Sequence, residues 1–291
     1  MRLAPRVWIL GAIALVAAAC YAVVVLAFGI AAETRERRFS PEGATAGQLG
    51  IYLEPLTVDA TNDSMPFRVY FTPDATLRGR RPDSPDRDLV VVLTSGDAVE
   101  QYVFRAHEKM LTASFTVDLE DGSVGSYPLD RYRAELRIRA SESASGTLAN
   151  APSLPVAVTV WQGALGFHVH AREIARVSAG DLHLGFDARR PGALRFFAFA
   201  VYGAMVLLAV SSLAIGSLVF LGRRRLEATL MGALGAIIFA LPALRNALPG
   251  TPPFGVRADM LVFLWAELAS VIGFALFVVA WARSGERPGG R

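Results

Sequence analysis

Four long apolar segments interrupt an otherwise polar chain of 291 residues. They extend over residues 7–32, 196–221, 228–248 and 260–282. A helix needs about 20 apolar residues to cross the roughly 30 Å hydrocarbon core of a bilayer. The segment at 228–248 reaches this length when it continues through Arg245, whose long side chain can extend to the interface. The pattern therefore predicts a membrane protein with four transmembrane helices.

The first apolar segment, residues 7–32, has three interpretations. A cleaved signal peptide has an apolar core of about 7–15 residues, which is much shorter than this segment, although Ile30–Ala32 resembles a small-residue cleavage site. A lipoprotein would use Cys20, yet the apolar run continues for twelve residues beyond it. The length favours an uncleaved anchor, and we expect one transmembrane helix here.

The polar region between the first two apolar segments, residues 33–190, predicts an all-β domain. Apolar and polar residues alternate with period two in several short runs, as in strands with one buried face. These runs are Phe67–Phe71, Ala113–Val117, Ala134–Ile138 and Val156–Val160. The stretch Asp88–Thr94 is almost continuously apolar, as in a buried strand, and Ala171–Val177 alone has a short helical period. Eight or so strands with polar turns predict a β-sandwich, and with the apolar helices an α+β membrane protein.

Arginines at the ends of the apolar segments predict the orientation. Short cytoplasmic loops of membrane proteins carry an excess of Lys and Arg. Three such clusters lie before the first segment, between the second and third, and after the fourth: Arg2 and Arg6, Arg223–Arg225, and Arg283, Arg287 and Arg291. An even number of membrane crossings separates each cluster from the next, so all three lie on the same side. Residues 1–6 and 283–291 are therefore expected in the cytoplasm, and residues 33–190 outside it, with the chain in the inner or plasma membrane.

Charge and composition exclude several function classes. The net charge of +3 divides into −4 for residues 33–190 and +7 for the remainder, so the positive charge flanks the apolar segments. This distribution does not predict a nucleic-acid partner. The single cysteine allows no intramolecular disulfide and no cysteine-based metal site. Motifs for nucleotide binding or nucleophilic catalysis are absent, and we expect a non-enzymatic protein without a cofactor.

Three histidines are the best metal candidates that the sequence offers. His168 and His170 share one face if their segment is a strand, because side chains at i and i+2 point the same way. His183 has the same outward position on the predicted next strand. Two or three imidazoles can bind zinc or copper, and an extracytoplasmic metal-dependent enzyme would use them. Exposed strand histidines are the commoner interpretation, so no metal is assigned.

Three charged residues near the last two apolar segments predict a polar cluster in the membrane. Asp259 begins the last helix, where its negative charge suits the helix N-terminus. Glu267 lies eight residues further along, about 12 Å at 1.5 Å per residue. A carboxylate at this depth needs a partner or a proton. We expect Arg245 to pair with at least one acid; otherwise a proton or cation site is the alternative.

Two motifs carry a resemblance to a known family. The first, Tyr127–Tyr132, reads YPLDRY, and the second, residues 245–255, reads RNALPGTPPFG. With Asp259, Phe263 and Trp265–Glu267, they resemble the bacterial membrane family known as domain of unknown function 4436. The resemblance implies one helix before a β domain and three after it, and it implies no activity.

A more remote similarity is to the pentameric ligand-gated ion channels, which also join an extracytoplasmic β-sandwich to a helical membrane domain. In that family a Tyr-Pro-x-Asp loop contacts the membrane domain, which implies an interface role here for Tyr127, Pro128, Asp130 and Tyr132. A turn that fixes these tyrosines in the β core is the alternative interpretation. The small residues of the 228–248 segment are typical of helix packing rather than of a polar pore.

The sequence thus predicts a multi-pass membrane protein whose β domain serves binding or assembly at the cell envelope. Its expected partners are the lipid bilayer and either a second copy of the chain or another envelope protein. An oligomeric channel or transporter is the second hypothesis, and an extracytoplasmic metal-dependent enzyme is the third.

Overall fold

A computed structural model describes residues 36–41, 46–142 and 152–285, together with the isolated helical positions Trp8, Leu15, Ala19 and Ala22. Apart from these positions, the predicted first helix at 7–32 lies outside the described residues. The described chain forms two compact units. The β domain contains the described residues from 36 to 123 and 129 to 191, and the helical unit contains the four isolated positions, 124–128 and 192–285.

The described part of the β domain contains eleven strands. They are β1 (Glu36–Phe39), β2 (Leu49–Pro55), β3 (Ser64–Pro73), β4 (Leu89–Ser95), β5 (Ala98–Phe104), β6 (Ala113–Gly122), β7 (Arg131–Glu142), β8 (Val156–Trp161), β9 (Gly163–Ala164), β10 (Phe167–Ser178) and β11 (Asp181–Arg189). The four alternating runs lie within β3, β6, β7 and β8, and the apolar run Asp88–Thr94 corresponds to β4, which begins one residue later. Alternation predicts a strand such as β3 because one face is buried and the other is more exposed, whereas β4 is apolar throughout because both of its faces are buried.

The strands form one curled sheet in which β6 joins two halves. The strand order is β1-β8-β2-β3-β6-β7-β11-β10-β9, with β4 bonded to β5 and β7. Strand β6 pairs with β3 over residues 113–118 and with β7 over residues 119–122. The sequence predicts a sandwich of strands, and the structure gives a β domain whose two halves are continuous through β6.

The core lies between these two halves. Phe67 of β3 and Phe186 of β11 come from different halves, and their ring centroids are 5.1 Å apart. Both side chains are buried, as are Phe115, Leu136 and Ile138 around them. Burial of such apolar side chains is the main stabilising contribution in a domain without disulfides.

The short helical period at Ala171–Val177 is not a helix, because these residues belong to strand β10. The strand is interrupted by register shifts between Glu173 and Ala175 and between Arg176 and Ser178. From Arg172 onward its side chains are largely exposed, so buried and exposed positions do not alternate there. The sequence prediction was wrong at this point because a bulged strand outside the core loses its period of two.

The described part of the helical unit contains three long helices: α1 (Gly192–Phe220), α2 (Ala228–Asn246) and α3 (Leu264–Gly285). A short π-helical segment, Asp259–Phe263, leads directly into α3. Each of these helices is long and apolar enough to cross a bilayer. The predicted segments at 196–221, 228–248 and 260–282 correspond to them, with α1 starting four residues earlier than its apolar core.

Helices α1 and α3 approach so closely that their backbones touch. A side chain at Gly216 of α1 would overlap the backbone of Gly273 on α3. A side chain at Gly273 would lie 2.6 Å from the carbonyl oxygen of Ser212. The Ser212 hydroxyl donates a hydrogen bond of 3.2 Å to the carbonyl oxygen of Ser270 across the same contact. Small residues therefore set the distance between these two helices.

Candidate functional site

A buried ion pair joins the last turn of α2 to the segment that precedes α3. Arg245 and Asp259 are only 3% and 4% exposed, and their Nη2 and Oδ2 atoms are 2.8 Å apart. The structure therefore brings together two of the three charged residues that the sequence predicted to cluster. A buried charge is tolerated when a second charge and further hydrogen bonds compensate it, and this pair has both.

The surroundings of the pair satisfy both charged groups. Arg245 Nη2 donates to the carbonyl oxygen of Pro253 at 2.8 Å, and its guanidinium carbon lies 4.0 Å from the centroid of the Phe254 ring. Asp259 accepts hydrogen bonds from the Tyr202 hydroxyl at 3.1 Å and from the backbone N–H of Gly255 at 3.3 Å. The proline-rich connection between α2 and α3 is thus folded around the guanidinium.

Glu267 does not join this ion pair. Its Oε2 atom is buried and has no hydrogen-bond partner in the described part of the chain. The residue is in the first turn of α3, two helical turns beyond Asp259. The sequence placed Glu267 in the polar cluster, and the structure separates it from Arg245.

The motif at Tyr127–Tyr132 is divided between the two units. Residues 124–128 belong to the helical unit, where Tyr127 is buried and donates from its hydroxyl to the carbonyl oxygen of Pro249 at 3.1 Å. Tyr127 is thereby fixed to the connection that also holds Arg245. Its neighbour Pro128 ends this short segment.

The second half of the motif forms a buried network in the β domain. Arg190 Nε donates to Asp130 Oδ1 at 2.7 Å, and the Tyr132 hydroxyl donates to Asp130 Oδ2 at 3.0 Å. The guanidinium of Arg190 also lies 4.6 Å from the ring centroid of Phe167. Burial and the Asp130 charge raise the pKa of Tyr132, so its hydroxyl keeps its proton and remains a donor. The motif therefore contributes one anchor to each unit.

A pocket rich in arginine opens on the outer face of the β domain. Its volume is about 270 Å³. Its polar lining comes from four different strands: Arg37 of β1, Arg133 of β7, His170 and Arg172 of β10, and Asp187 and Arg189 of β11. Ala171 of β10 and Phe186 of β11 also line it, although their side chains are buried in the core. We name this site the arginine pocket.

The strand register explains why these side chains converge. Asp187 lies directly opposite His170 on one neighbouring strand and opposite Arg133 on the other. Arg172 and Arg189 are two residues further along β10 and β11, so they share the same face of the sheet. Three adjacent strands thus present one polar surface, and Arg37 completes it.

The arginine pocket is strongly positive. Four guanidiniums face a single lining acid, Asp187, whose Oδ1 is buried without a hydrogen-bond partner among the described residues. Arg133 also lies 3.5 Å from Asp121, a pair that is largely exposed and contributes little. Guanidinium groups stay charged at any physiological pH and bind phosphate or carboxylate through paired N–H donors. The chemistry of the pocket therefore suits an anionic ligand.

The three candidate histidines do not gather into one site. His168 and His170 share a face of β10, whereas His183 lies opposite Ala175, five residues beyond His170 along that strand. His183 Nε2 is instead 2.8 Å from Glu135 Oε2. Burial, together with the charge of Arg189, lowers the pKa of His168. Among the described residues, no group of three or more His, Cys, Asp or Glu side chains could hold a metal ion.

Comparison with known families agrees with the division into two units. A family described as Domain of unknown function (DUF8686) matches residues 190–284, which include the helical unit after residue 191 and the motif at 245–255. That motif therefore lies in a second family match and outside the match to domain of unknown function 4436, which it was expected to share. No curated protein matches the chain. The β domain matches the family described as Domain of unknown function (DUF4436) over residues 39–186, and because this is just over half of the 291 residues, the chain belongs to that family.

Proposed function

We propose that this protein is a non-enzymatic, membrane-anchored binding protein whose β domain captures an anionic component of the cell envelope. The observation that carries the proposal is the arginine pocket, in which four strands contribute four guanidiniums against one lining acid. Four exposed arginines gathered around one lining acid repel one another, and a bound anion would relieve that repulsion. Phosphate or carboxylate groups on an envelope polymer have the required charge.

The proposed location is the inner or plasma membrane, with both termini in the cytoplasm and residues 33–190 outside it. The three apolar helices support a membrane location, and the arginine clusters support this orientation. A lipid bilayer is then the permanent partner of the chain. The envelope component, a second copy or another envelope protein would be the partner of the β domain.

Cysteine labelling in intact cells tests the orientation. Thr61 and Ser284 are exposed in the β domain and near the end of α3, and each can be replaced by cysteine in a Cys20→Ala background. An impermeant thiol reagent is expected to label Thr61→Cys and to label Ser284→Cys only after the membrane is opened. The reverse result would place the β domain in the cytoplasm and would contradict the proposal.

Calorimetric titration with inorganic tripolyphosphate tests the arginine pocket. The full chain in a zwitterionic detergent is expected to bind the probe, and Arg172→Gln with Arg189→Gln should weaken binding by about tenfold or more, because each charged hydrogen bond contributes about 1.5–3 kcal/mol. Arg78→Gln with Arg80→Gln removes the same charge from exposed positions outside the pocket. This control should bind like the unsubstituted chain. Equal weakening by both pairs would indicate a general charge effect and no site.

An oligomeric channel or transporter is the second candidate function, and one observation favours it. Glu267 lies on an apolar helix with a buried oxygen that has no partner in the described chain. Such a carboxylate in a spanning helix is often part of a proton or cation pathway. A pentameric particle in detergent and a cation flux that Glu267→Gln abolishes would favour this function over binding alone.

A further inference from the structure

A second cavity lies in the helical unit, at the connection between α1 and α2. Its volume is about 650 Å³. One wall is apolar and comes from the two helices, with Leu218 and Val219 on α1 and Leu230 on α2. The other wall consists of Arg223–Arg225 and Glu227. We name the connection 223–225 the arginine loop.

The charge of the arginine loop is not balanced by its surroundings. All three arginines are exposed. Within residues 124–128 and 192–285 of this unit, Arg245 forms an ion pair with an acid, whereas none of the three arginines does. Glu227 is the single acid that lines the cavity, so three positive charges face one negative charge. The cavity therefore favours an anion.

The start of α2 adds to this preference. Its N-cap residue, Glu227, makes no side-chain hydrogen bond to the first turn, and that turn contains no acidic residue. The free N–H groups at a helix N-terminus carry a partial positive charge that also favours anions. The N-terminus of α2 and the arginine loop thus both contribute positive charge to the cavity.

The combination of the two walls selects the kind of anion. A free phosphate would use only the arginine wall, and the apolar wall of Leu218, Val219 and Leu230 would contribute nothing to its binding. A phospholipid has a phosphate group directly attached to apolar chains, and both helices are long enough to cross a bilayer. Basic pockets between membrane helices bind anionic headgroups for this reason.

We infer that this cavity binds an anionic phospholipid, with its phosphate on the arginine loop and an acyl chain against α1 and α2. The inference depends on the three helices being embedded in a membrane. It is independent of the arginine pocket, which lies in the other unit, so either proposal can fail without the other.

Lipid retention by the full chain tests the inference. The protein is purified in a nonionic detergent, and equal amounts of phosphatidylglycerol and phosphatidylcholine are added before native mass spectrometry. The unsubstituted chain is expected to retain phosphatidylglycerol preferentially. Replacing any one arginine of the loop by glutamine should reduce this preference about fivefold, because one arginine near an anionic headgroup contributes a factor of this size.

The matched control is Arg78→Gln with Arg80→Gln and Arg81→Gln, a triple variant with the same charge change in an exposed turn of the β domain. It should keep the preference, which the loop triple variant should lose. If the triple variant of the loop does not insert, Arg224→Gln alone must still lower the preference. Equal retention of the two lipids by the unsubstituted chain overturns the inference.

Glycerol phosphate distinguishes a lipid site from a soluble-anion site. It has a phosphate monoester in place of the phosphodiester of the lipid and has no acyl chains, and we expect it not to displace phosphatidylglycerol at equal concentration. Complete displacement would mean that the arginine loop binds a soluble phosphate, and the lipid assignment would then be wrong.

Discussion

Replacing Gly216 with alanine is expected to destabilise the helical unit by about 3 kcal/mol, the upper part of the range for overpacked cores. The new methyl group would overlap the backbone of Gly273, and backbone atoms cannot move aside as the end of a flexible side chain can. Helices α1 and α3 would have to separate, and Ser212 would lose its hydrogen bond to Ser270. Thermal unfolding in detergent, followed by the loss of helical circular dichroism, measures the change.

Gly203 provides the matched control on the same helix. A methyl group there meets no atom within 4 Å, and the residue is exposed. Alanine is favoured over glycine in a helix by about 1 kcal/mol, so Gly203→Ala should be neutral or slightly stabilising. The same substitution is thus expected to have opposite signs at two positions. Similar melting temperatures for both variants would show that α1 and α3 do not touch at Gly216 in the folded protein.

The elements with a clear periodicity could be predicted from the sequence, since burial on one face imposes a pattern on consecutive residues. Strands such as Phe67–Phe71 and the three apolar helices are of this kind. The curling of the sheet could not be predicted in the same way. It depends on β6 leaving β3 for β7 at residue 119, and nothing in the alternation of this strand marks the change of partner.

The arginine pocket was missed for a related reason. Arg37, Arg133, Arg172 and Arg189 are far apart in the sequence, and only the strand pairing brings them together. A partial signal was present, because His170 and Arg172 alternate with apolar neighbours, as Asp187 and Arg189 do. These positions predicted an outward face, but only its histidines indicated a candidate site.

The pairing of Arg245 with an acid could be predicted from the sequence, because the partners are close along the chain and a charge in an apolar segment has few alternatives. Fourteen residues separate it from Asp259, and a charge in an apolar segment requires a partner. Which of the two acids, Asp259 or Glu267, pairs with Arg245 could not be predicted from the sequence. It depends on how the segment with Pro253 and Phe254 folds around the guanidinium, since that fold brings the helix start to Arg245.

A double-mutant cycle on Arg245 and Asp259 is expected to give the second large effect. Arg245→Leu leaves the Asp259 carboxylate buried with hydrogen bonds only from Tyr202 and Gly255, and the loss should be about 3–5 kcal/mol of unfolding free energy. Asp259→Asn leaves the guanidinium with Pro253 and Phe254 but without a counter-charge. Unfolding in detergent by a denaturant series measures each variant.

The double variant should be less damaged than the sum of the two single variants, because removing both charges also removes the cost of burying an unpaired one. A coupling well above about 0.5 kcal/mol is therefore expected for Arg245 with Asp259. Arg257→Leu, an exposed arginine in the same connection, is the control and should change stability little. Arg245→Leu with Glu267→Gln should be additive, since Glu267 has no hydrogen bond to Arg245. Strong coupling to Glu267 and none to Asp259 would mean that Glu267, and not Asp259, is the partner of Arg245. The Glu267 carboxylate would then be paired, and it would need no bound proton or cation.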